Sequence, residues 1–255
     1  MSRTHLVIPD VQAKPGHDFA FLTQIGNYIV EKKPDVLIQI GDFADMEALS
    51  SYDTGKKCFE GRRVQKDIQA AKDAMEALMA PIHAYNDKAK RNKEKLYKPE
   101  MHLTLGNHEE RILRAVNDDP KLDGILSIDQ LEYEKHGWTV HTFLKVIQID
   151  GVCYSHYFTT GAMGKPAGSA QALISKKHQS CIAGHQQGRQ MATAFRADGS
   201  TITCIIAGSA YPHDEKYMGP QGNDHWRGIL VLHEVRDGMF DEMFVSLDFL
   251  KKRYS

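Results

Sequence analysis

Cysteine is scarce and never paired at short range. Cys58, Cys153, Cys181 and Cys204 are the only four in 255 residues, and no two are spaced as CxxC. That excludes the thiolate zinc frameworks and redox motifs built on such spacing. Three of the four lie in apolar, strand-like runs, where a free Cys behaves as a small hydrophobe. A reducing, cytoplasmic setting is therefore expected. Long apolar runs are lacking too. None approaches the roughly 20 residues needed to cross a bilayer, and Met1 to His5 leads into a strand with no secretory leader visible. No membrane partner is expected. Nor is there an excess of charge of one sign: the formal net charge is −1. No global electrostatic footprint for nucleic acid follows from it, although a local basic groove stays open. With no internal repeat, low-complexity tract or linker in the sequence, residues 1–255 read as one domain.

What is present is ordinary in bulk, with 42% hydrophobic and 25% charged residues. The order of elements is more informative. A strand over about residues 5–10 precedes a helix from Asp18 to Val30, where Phe19, Leu22, Ile25, Ile29 and Val30 recur at helical spacing. Pro34-Asp35 ends that helix and opens a second strand. A charged amphipathic helix is predicted from Val64 to about Lys90, with Ile68, Ala71, Met75, Leu78 and Met79 as its apolar stripe; Lys88 to Lys95 reads as its solvated end. Beyond about residue 138 the period changes to two. Strands are predicted over Lys145–Ile149, Val152–His156, Gln190–Arg196, Thr201–Ala207 and Gly228–Glu234, with hairpin turns at Asp150-Gly151, Asp198-Gly199 and Asp237-Gly238. A βαβ half followed by a hairpin-rich half predicts an α/β (α+β) fold, two mixed sheets packed face to face with helices outside.

Five strand-like runs end on a residue that can bind metal. They are Leu6–Asp10, Val36–Asp42, Met101–His108, Val152–His156 and Cys181–His185. Open α/β sheets bind ligands at the carboxyl ends of their strands, so these residues are expected to converge there. Two Asp, one Asn and three His mix hard oxygen and borderline nitrogen donors, which suits divalent transition metals, two ions rather than one. Singly, each reading is weak. A strand-end Asp often caps the next segment, and a lone His is more often structural than a ligand.

Taken together, Asp10, Gly41-Asp42, Gly106-Asn107-His108-Glu109, His156 and Gly184-His185 resemble, in order, the blocks of the calcineurin-like metallophosphoesterase superfamily. The resemblance spans residues 10 to 187. It implies a four-layer αββα sandwich of two mixed sheets flanked by helices. It also implies two metals bridged by Asp42 and by a water or hydroxide, with Asp10 on the first metal and Asn107, His156 and His185 on the second. His108 would protonate the leaving oxygen, with Asp45 or Glu109 orienting it. The implied chemistry is in-line attack of a metal-activated hydroxide on phosphorus.

Two departures stand out. The family's Asp-x-His is here Asp10-Val11-Gln12, and its Gly-His-x-His is Gly184-His185-Gln186-Gln187. Gln12 and Gln187 keep amide oxygens, which are harder and neutral, so a weaker first site is expected. Manganese is the favoured ion, with Mg, Fe, Ni and Zn as the other candidates. Gln in the first block also resembles the manganese-dependent ADP-ribose pyrophosphatase branch.

Three functions fit. The leading one is hydrolysis of a phosphodiester in a nucleotide or at a nucleic-acid end, a phosphodiesterase or nuclease. The second is phosphomonoester hydrolysis, including protein phosphatase work, although Met46 stands where the serine/threonine phosphatase branch has Arg. The third is a scaffold without turnover, as in the retromer subunit of this fold; retention of His108 argues against it. Arg111, Lys165, Arg189 and Arg227 are candidates for binding phosphate, Arg111 equally for pairing with a carboxylate. Gly161–Gly168 and Tyr211–Trp226 are candidate substrate rims, with Tyr217 or Trp226 as a base-stacking ring. His17, His178 and His213 are candidates for supporting positions.

Overall fold

In the computed structural model the chain is described over residues 2–52, 54–161, 163–215 and 218–255, with the backbone alone for Cys58. Tyr217 and Ala162, of the two candidate rims, lie outside the described residues.

Strands alternate with helices in the first half: β1 (Arg3–Ile8), α1 (Ala20–Lys32), β2 (Val36–Gln39), α2 (Val64–Arg91), β3 (Glu100–Thr104), α3 (Glu110–Asp118) and β4 (Thr139–His141). Then follow β5 (Ile147–Ile149), β6 (Val152–Ser155), the short pair β7 (Thr159–Thr160) and β8 (Lys165–Pro166), α4 (Ala170–Lys177) and β9 (Cys181–Ala183). The last elements are β10 (Gln190–Phe195), β11 (Thr201–Ile206), α5 (Gly219–Asn223), β12 (Gly228–Arg236), β13 (Met239–Ser246) and α6 (Leu247–Tyr254). One six-stranded sheet runs β13-β12-β1-β2-β3-β4, and a five-stranded sheet runs β10-β11-β9-β6-β5. Both are mixed. β1 pairs parallel with β2 and antiparallel with β12, and β9 pairs parallel with both β6 and β11.

Period-two alternation sorts the strand residues into layers. Leu6 and Ile8 of β1, Leu37 of β2 and Ile229 and Val231 of β12 pack with Leu22, Ile25, Met75, Leu78 and Leu250 of the helices. Their neighbours Val7, Ile38, Leu230 and Leu232 face Val152, Tyr154, Ile182 and Ile205 of the second sheet. Cys153, Cys181, Cys204 and Ile206 form the outer face of that sheet, under Leu173 and Ile174 of α4. The central strands of both sheets are therefore covered on both faces, which is why they read as nearly continuous apolar runs. Each fully buried Leu, Ile or Val in them contributes about 1.5–3 kcal/mol. The expected sandwich of two mixed sheets between helices is the fold of this chain.

Local chemistry sets the ends. α1 stops at Lys33, whose backbone turns left-handed (φ 49°) and donates to the Ile29 carbonyl, and Pro34 forbids continuation. α2 carries Pro81 in its interior. Proline has no N–H for the Ala77 carbonyl, and the Thr23 hydroxyl of α1 donates to that oxygen instead at 3.2 Å. Asp150-Gly151 and Asp237-Gly238 have positive φ at both positions (48° and 84°, 53° and 83°), the I′ geometry that matches strand twist. No helix among the described residues is long and apolar enough to cross a membrane.

Candidate metal centre

The loops after β1, β2, β3, β6 and β9 meet at one end of the sandwich. Four residues there hold left-handed backbones without being glycine: Gln12 (φ 46°), Asp42 (φ 51°), Met46 (φ 51°) and His185 (φ 67°). Such conformations are costly and persist only where surrounding bonds over-determine them. Glu109 supplies much of that restraint. Fully buried, its carboxylate accepts from the backbone N–H of Asp42 (3.1 Å), Ala44 (2.8 Å) and Gly106 (2.9 Å) and from the Tyr133 hydroxyl (3.4 Å). The Asp42 carbonyl accepts in turn from Val11 and Gln12.

Asp42, Asn107, His156 and His185 converge. His156 Nε2 lies 2.9 Å from Asn107 Oδ1 and 3.3 Å from Asp42 Oδ2, and His185 Nδ1 lies 2.8 Å from Asn107 Oδ1. One donor atom from each of Asp42, His156 and His185 falls within 4.8 Å of the other two. His156 Nδ1 donates to the Ile40 carbonyl at 3.0 Å, which turns Nε2 towards Asp42 and Asn107. The set brings two imidazole nitrogens, an amide oxygen and a carboxylate oxygen together, atoms that a shared proton or a cation can hold in place. Gly106 makes the approach feasible: a Cβ there would stand 2.1 Å from Asp42 Oδ1.

A second cluster of donors adjoins this one. Asp10 Oδ1 accepts from the His185 N–H at 3.1 Å, while Asp10 Oδ2 and both amide atoms of Gln12 are buried with no hydrogen-bond partner. Orphaned polar atoms of this kind need an explanation, and an ion facing Asp10 Oδ2 and Gln12 Oε1 would supply one for the two oxygens. Gln187 differs. Its Oε1 accepts from the Tyr211 hydroxyl at 2.8 Å.

Electrostatics follow from burial and crowding. Burial pushes the Asp10 carboxyl up, and the neighbouring Asp42 charge adds to the effect. Burial acts the same way on Asp42, but the charges of His108 and His156 outweigh it and hold that carboxylate ionised. Desolvation works against the charged form of His156, yet Asp42 and Asp10 raise it to about 9; desolvation beside His156 takes His185 down to about 4. The proton affinities of the two rings are thereby driven apart.

His108 stands at the edge of this cluster. Its Nδ1 donates to Asp45 Oδ1 at 2.9 Å, and its Nε2 is 3.7 Å from Asp42 Oδ2. Burial opposes its charge, but Asp42 and Asp45 together keep its pKa above the ordinary value. Asp45, then, orients His108, and Glu109 restrains the loops instead. Arg111 takes the carboxylate alternative: its Nη1 donates to the Asp45 carbonyl (2.8 Å) and Oδ1 (3.3 Å), and its Nη2 lies 3.2 Å from His108 Nε2.

The other cations are mostly engaged elsewhere. Arg189 stacks on Trp226 and Phe244, with its guanidinium 4.9 and 4.5 Å from the ring centroids. Trp226 packs edge-on against Phe244. Arg227 donates to Asp214 and to the Pro212 and Asn223 carbonyls. Lys165 is exposed on β8, and His178 caps the C-terminus of α4. Beside Asp45, Lys14 and Glu215 form a buried pair that sequence reasoning passed over, next to His213 and His17, which it named as candidates for supporting positions. Lys14 Nζ donates to Glu215 at 2.6 Å, His213 Nε2 meets the same carboxylate at 2.8 Å, and His17 leans on the His213 ring at 4.4 Å. Tyr157, next in chain to His156, places its ring 4.8 Å from His185 and was likewise passed over.

No protein-family model matches this chain, and no curated protein matches it. Among solved structures, one crystal structure aligns with 96% of this chain and 100% of its own at 13% identity, with a TM-score of 0.44. A second, TT1561 of Thermus thermophilus, aligns with 96% of this chain and 99% of its own at 7% identity, with a TM-score of 0.37. At these values neither likeness bears on fold or activity.

Proposed function

We propose that this chain is a metal-dependent phosphoesterase of the calcineurin-like type, acting on a phosphodiester of a nucleotide or a nucleic-acid end. The observation that carries the reading is the convergence of Asp42, Asn107, His156 and His185 beside the His108–Asp45 pair. Those four residues would hold one divalent ion, and Asp10, Gln12 and Asp42 a second, with manganese the favoured metal. When bound, such ions supply Lewis acidity and lower the pKa of coordinated water towards neutrality.

The chain's own groups do the rest. Asp42 meets the first set through His156, and its carbonyl accepts from the Gln12 backbone of the second. His156 is locked by Ile40 in the tautomer that presents Nε2. His108, whose charged form is favoured by Asp42 and Asp45 against burial, would serve as proton donor to the leaving oxygen, and Asp45 keeps the ring aligned through Nδ1. The diester is favoured over the monoester by charge. Arg111 and Lys14, the cations beside Asp45, are already paired with carboxylates. A monoester dianion therefore meets little uncompensated positive charge from them, whereas a diester brings one negative charge only. Met46, in place of the phosphatase arginine, points the same way.

The test is to strip the protein of metal, restore manganese, and compare bis-p-nitrophenyl phosphate with p-nitrophenyl phosphate, using Asp42→Asn as control. Manganese-dependent diester cleavage lost in Asp42→Asn is expected. Faster monoester cleavage would move the reading to a phosphatase. Manganese bound with no turnover of either ester would overturn the reading in favour of a scaffold.

A further inference from the structure

A second group of nitrogen and oxygen donors lies on α2, apart from the centre described above. Glu76 and His83 are seven residues apart, about 20° short of two full helical turns, so they share one stripe of α2. His136 closes the 3₁₀ turn Tyr133–His136 and reaches across to them. One donor atom from each of the three falls within 4.8 Å of the other two. His136 Nδ1 is 3.9 Å from Glu76 Oε2, and the two imidazoles lie nearly parallel, 5.8 Å between centroids and 10° between planes.

The spacing matters. At 3.9 Å the His136–Glu76 pair is too far apart for a hydrogen bond. The His136 side chain is only 11% exposed, yet none of its ring atoms or those of His83 makes a hydrogen bond among the described residues. Donor atoms around a four-coordinate zinc, with bonds of about 2.0–2.2 Å, sit roughly 3.3–3.5 Å from one another. Small rotations of two side chains, one of them exposed on a helix surface, close the difference.

We propose that Glu76, His83 and His136 form a separate binding site for a borderline divalent cation of the zinc type. Two imidazoles and one carboxylate are the donor set that suits such an ion, and the fourth position faces solvent. The bound ion braces α2 to the turn that carries Tyr133. That turn bears on the first centre through packing, because the Tyr133 hydroxyl reaches Glu109, which restrains Asp42 and Gly106. The inference is independent of the phosphoesterase reading, since it needs no turnover.

Equilibrium dialysis of the whole protein against limiting Zn²⁺ tests it, with thermal denaturation alongside. The wild type, His83→Ala, Asp42→Asn and His178→Ala are compared, the last altering a histidine outside both clusters. His83→Ala is expected to bind one zinc per chain fewer than wild type and to lose the corresponding zinc-induced rise in Tm. Asp42→Asn is expected to keep that zinc. If His83→Ala binds as much zinc as wild type, or loses no more than His178→Ala, the site does not exist. Loss of the same ion in Asp42→Asn would overturn the proposal equally, because the zinc would then belong to the first centre.

Discussion

Lys14 Nζ lies 3.6 Å from Asp45 Oδ2, while the other oxygen of that carboxylate meets His108 Nδ1 at 2.9 Å. The two oxygens of Asp45 therefore have separate tasks. Lys14 is itself pinned by Glu215 at 2.6 Å, so a residue near the end of the chain fixes a loop near its start. The charges of Lys14 and Arg111, with that of His108, more than offset the burial of Asp45 and keep it ionised.

Lys14 is accordingly expected to act on catalysis through His108. His108→Ala should slow turnover by about 10²–10⁴, the usual contribution of a general acid, with metal still bound. Lys14→Met should cost less, up to about 10²-fold in kcat, through misalignment. Both losses should grow as the leaving group becomes more basic and shrink for nitrophenolate, which needs no proton. Lys14→Arg should restore most of the rate. A Lys14→Met loss equal for all leaving groups would reduce Lys14 to a packing residue.

Glu109 gathers three backbone N–H groups that have no other acceptor in its pocket. Removing it leaves buried donors unpaired, at about 1–3 kcal/mol each. Glu109→Ala should therefore lower stability by more than about 3 kcal/mol, read by urea denaturation at neutral pH. It should also weaken manganese binding, because Asp42 loses the support for its left-handed backbone. Wild-type stability in Glu109→Ala would mean that water satisfies those groups.

Gly106 has no space for a side chain on the Asp42 side, where a Cβ would meet Oδ1 at 2.1 Å and the backbone nitrogen at 2.2 Å. Gly106→Ala should displace the Asp42 carboxylate and weaken manganese affinity at least about tenfold, a change of about 1.4 kcal/mol in binding. Calorimetric titration reads this directly. Equal affinities for variant and wild type would show that Asp42 is not a ligand.

The central strands were legible because both their faces are covered, which leaves apolar runs such as Val36 to Ile40. Two of the three Asp-Gly hairpins carry their own signal, since few other pairs take positive φ twice. The donors at the strand ends were legible for the same topological reason. What escaped was long-range pairing. Lys14 and Glu215 are 201 positions apart, and neither lies in a periodic run. Tyr133 reaches Glu109 from a 3₁₀ turn that no hydrophobic period marks. β13, an edge strand reading Met-Phe-Asp-Glu-Met-Phe-Val-Ser, is polar at its centre and is announced only by the turn before it. Gln187 sits where the family's ligand pattern expects a donor, but Tyr211 has its amide oxygen, a contact no spacing could show.

Asp67 offers a test of stability that does not involve the metal ligands. It is 1% exposed on α2; Oδ2 accepts from the Ala48 N–H at 2.7 Å and Oδ1 has no partner. Burial, with Glu47 and Asp45 nearby, raises its carboxyl from the usual 3.8 to about 6. The folded state then binds more protons than the unfolded chain between about pH 4 and 6, so the protonated Asp67 favours folding at low pH. That contribution is complete below the unfolded pKa and is lost as pH rises through the folded one. Asp67→Asn keeps an oxygen for Ala48 and removes the charge. At pH 7 the variant should be more stable than wild type by about 1 kcal/mol, after discounting for residual solvation. The gain should shrink towards zero near pH 4. Urea denaturation of both proteins across that range reads the difference, and a constant difference from pH 4 to 7 would show that Asp67 is already ionised without cost.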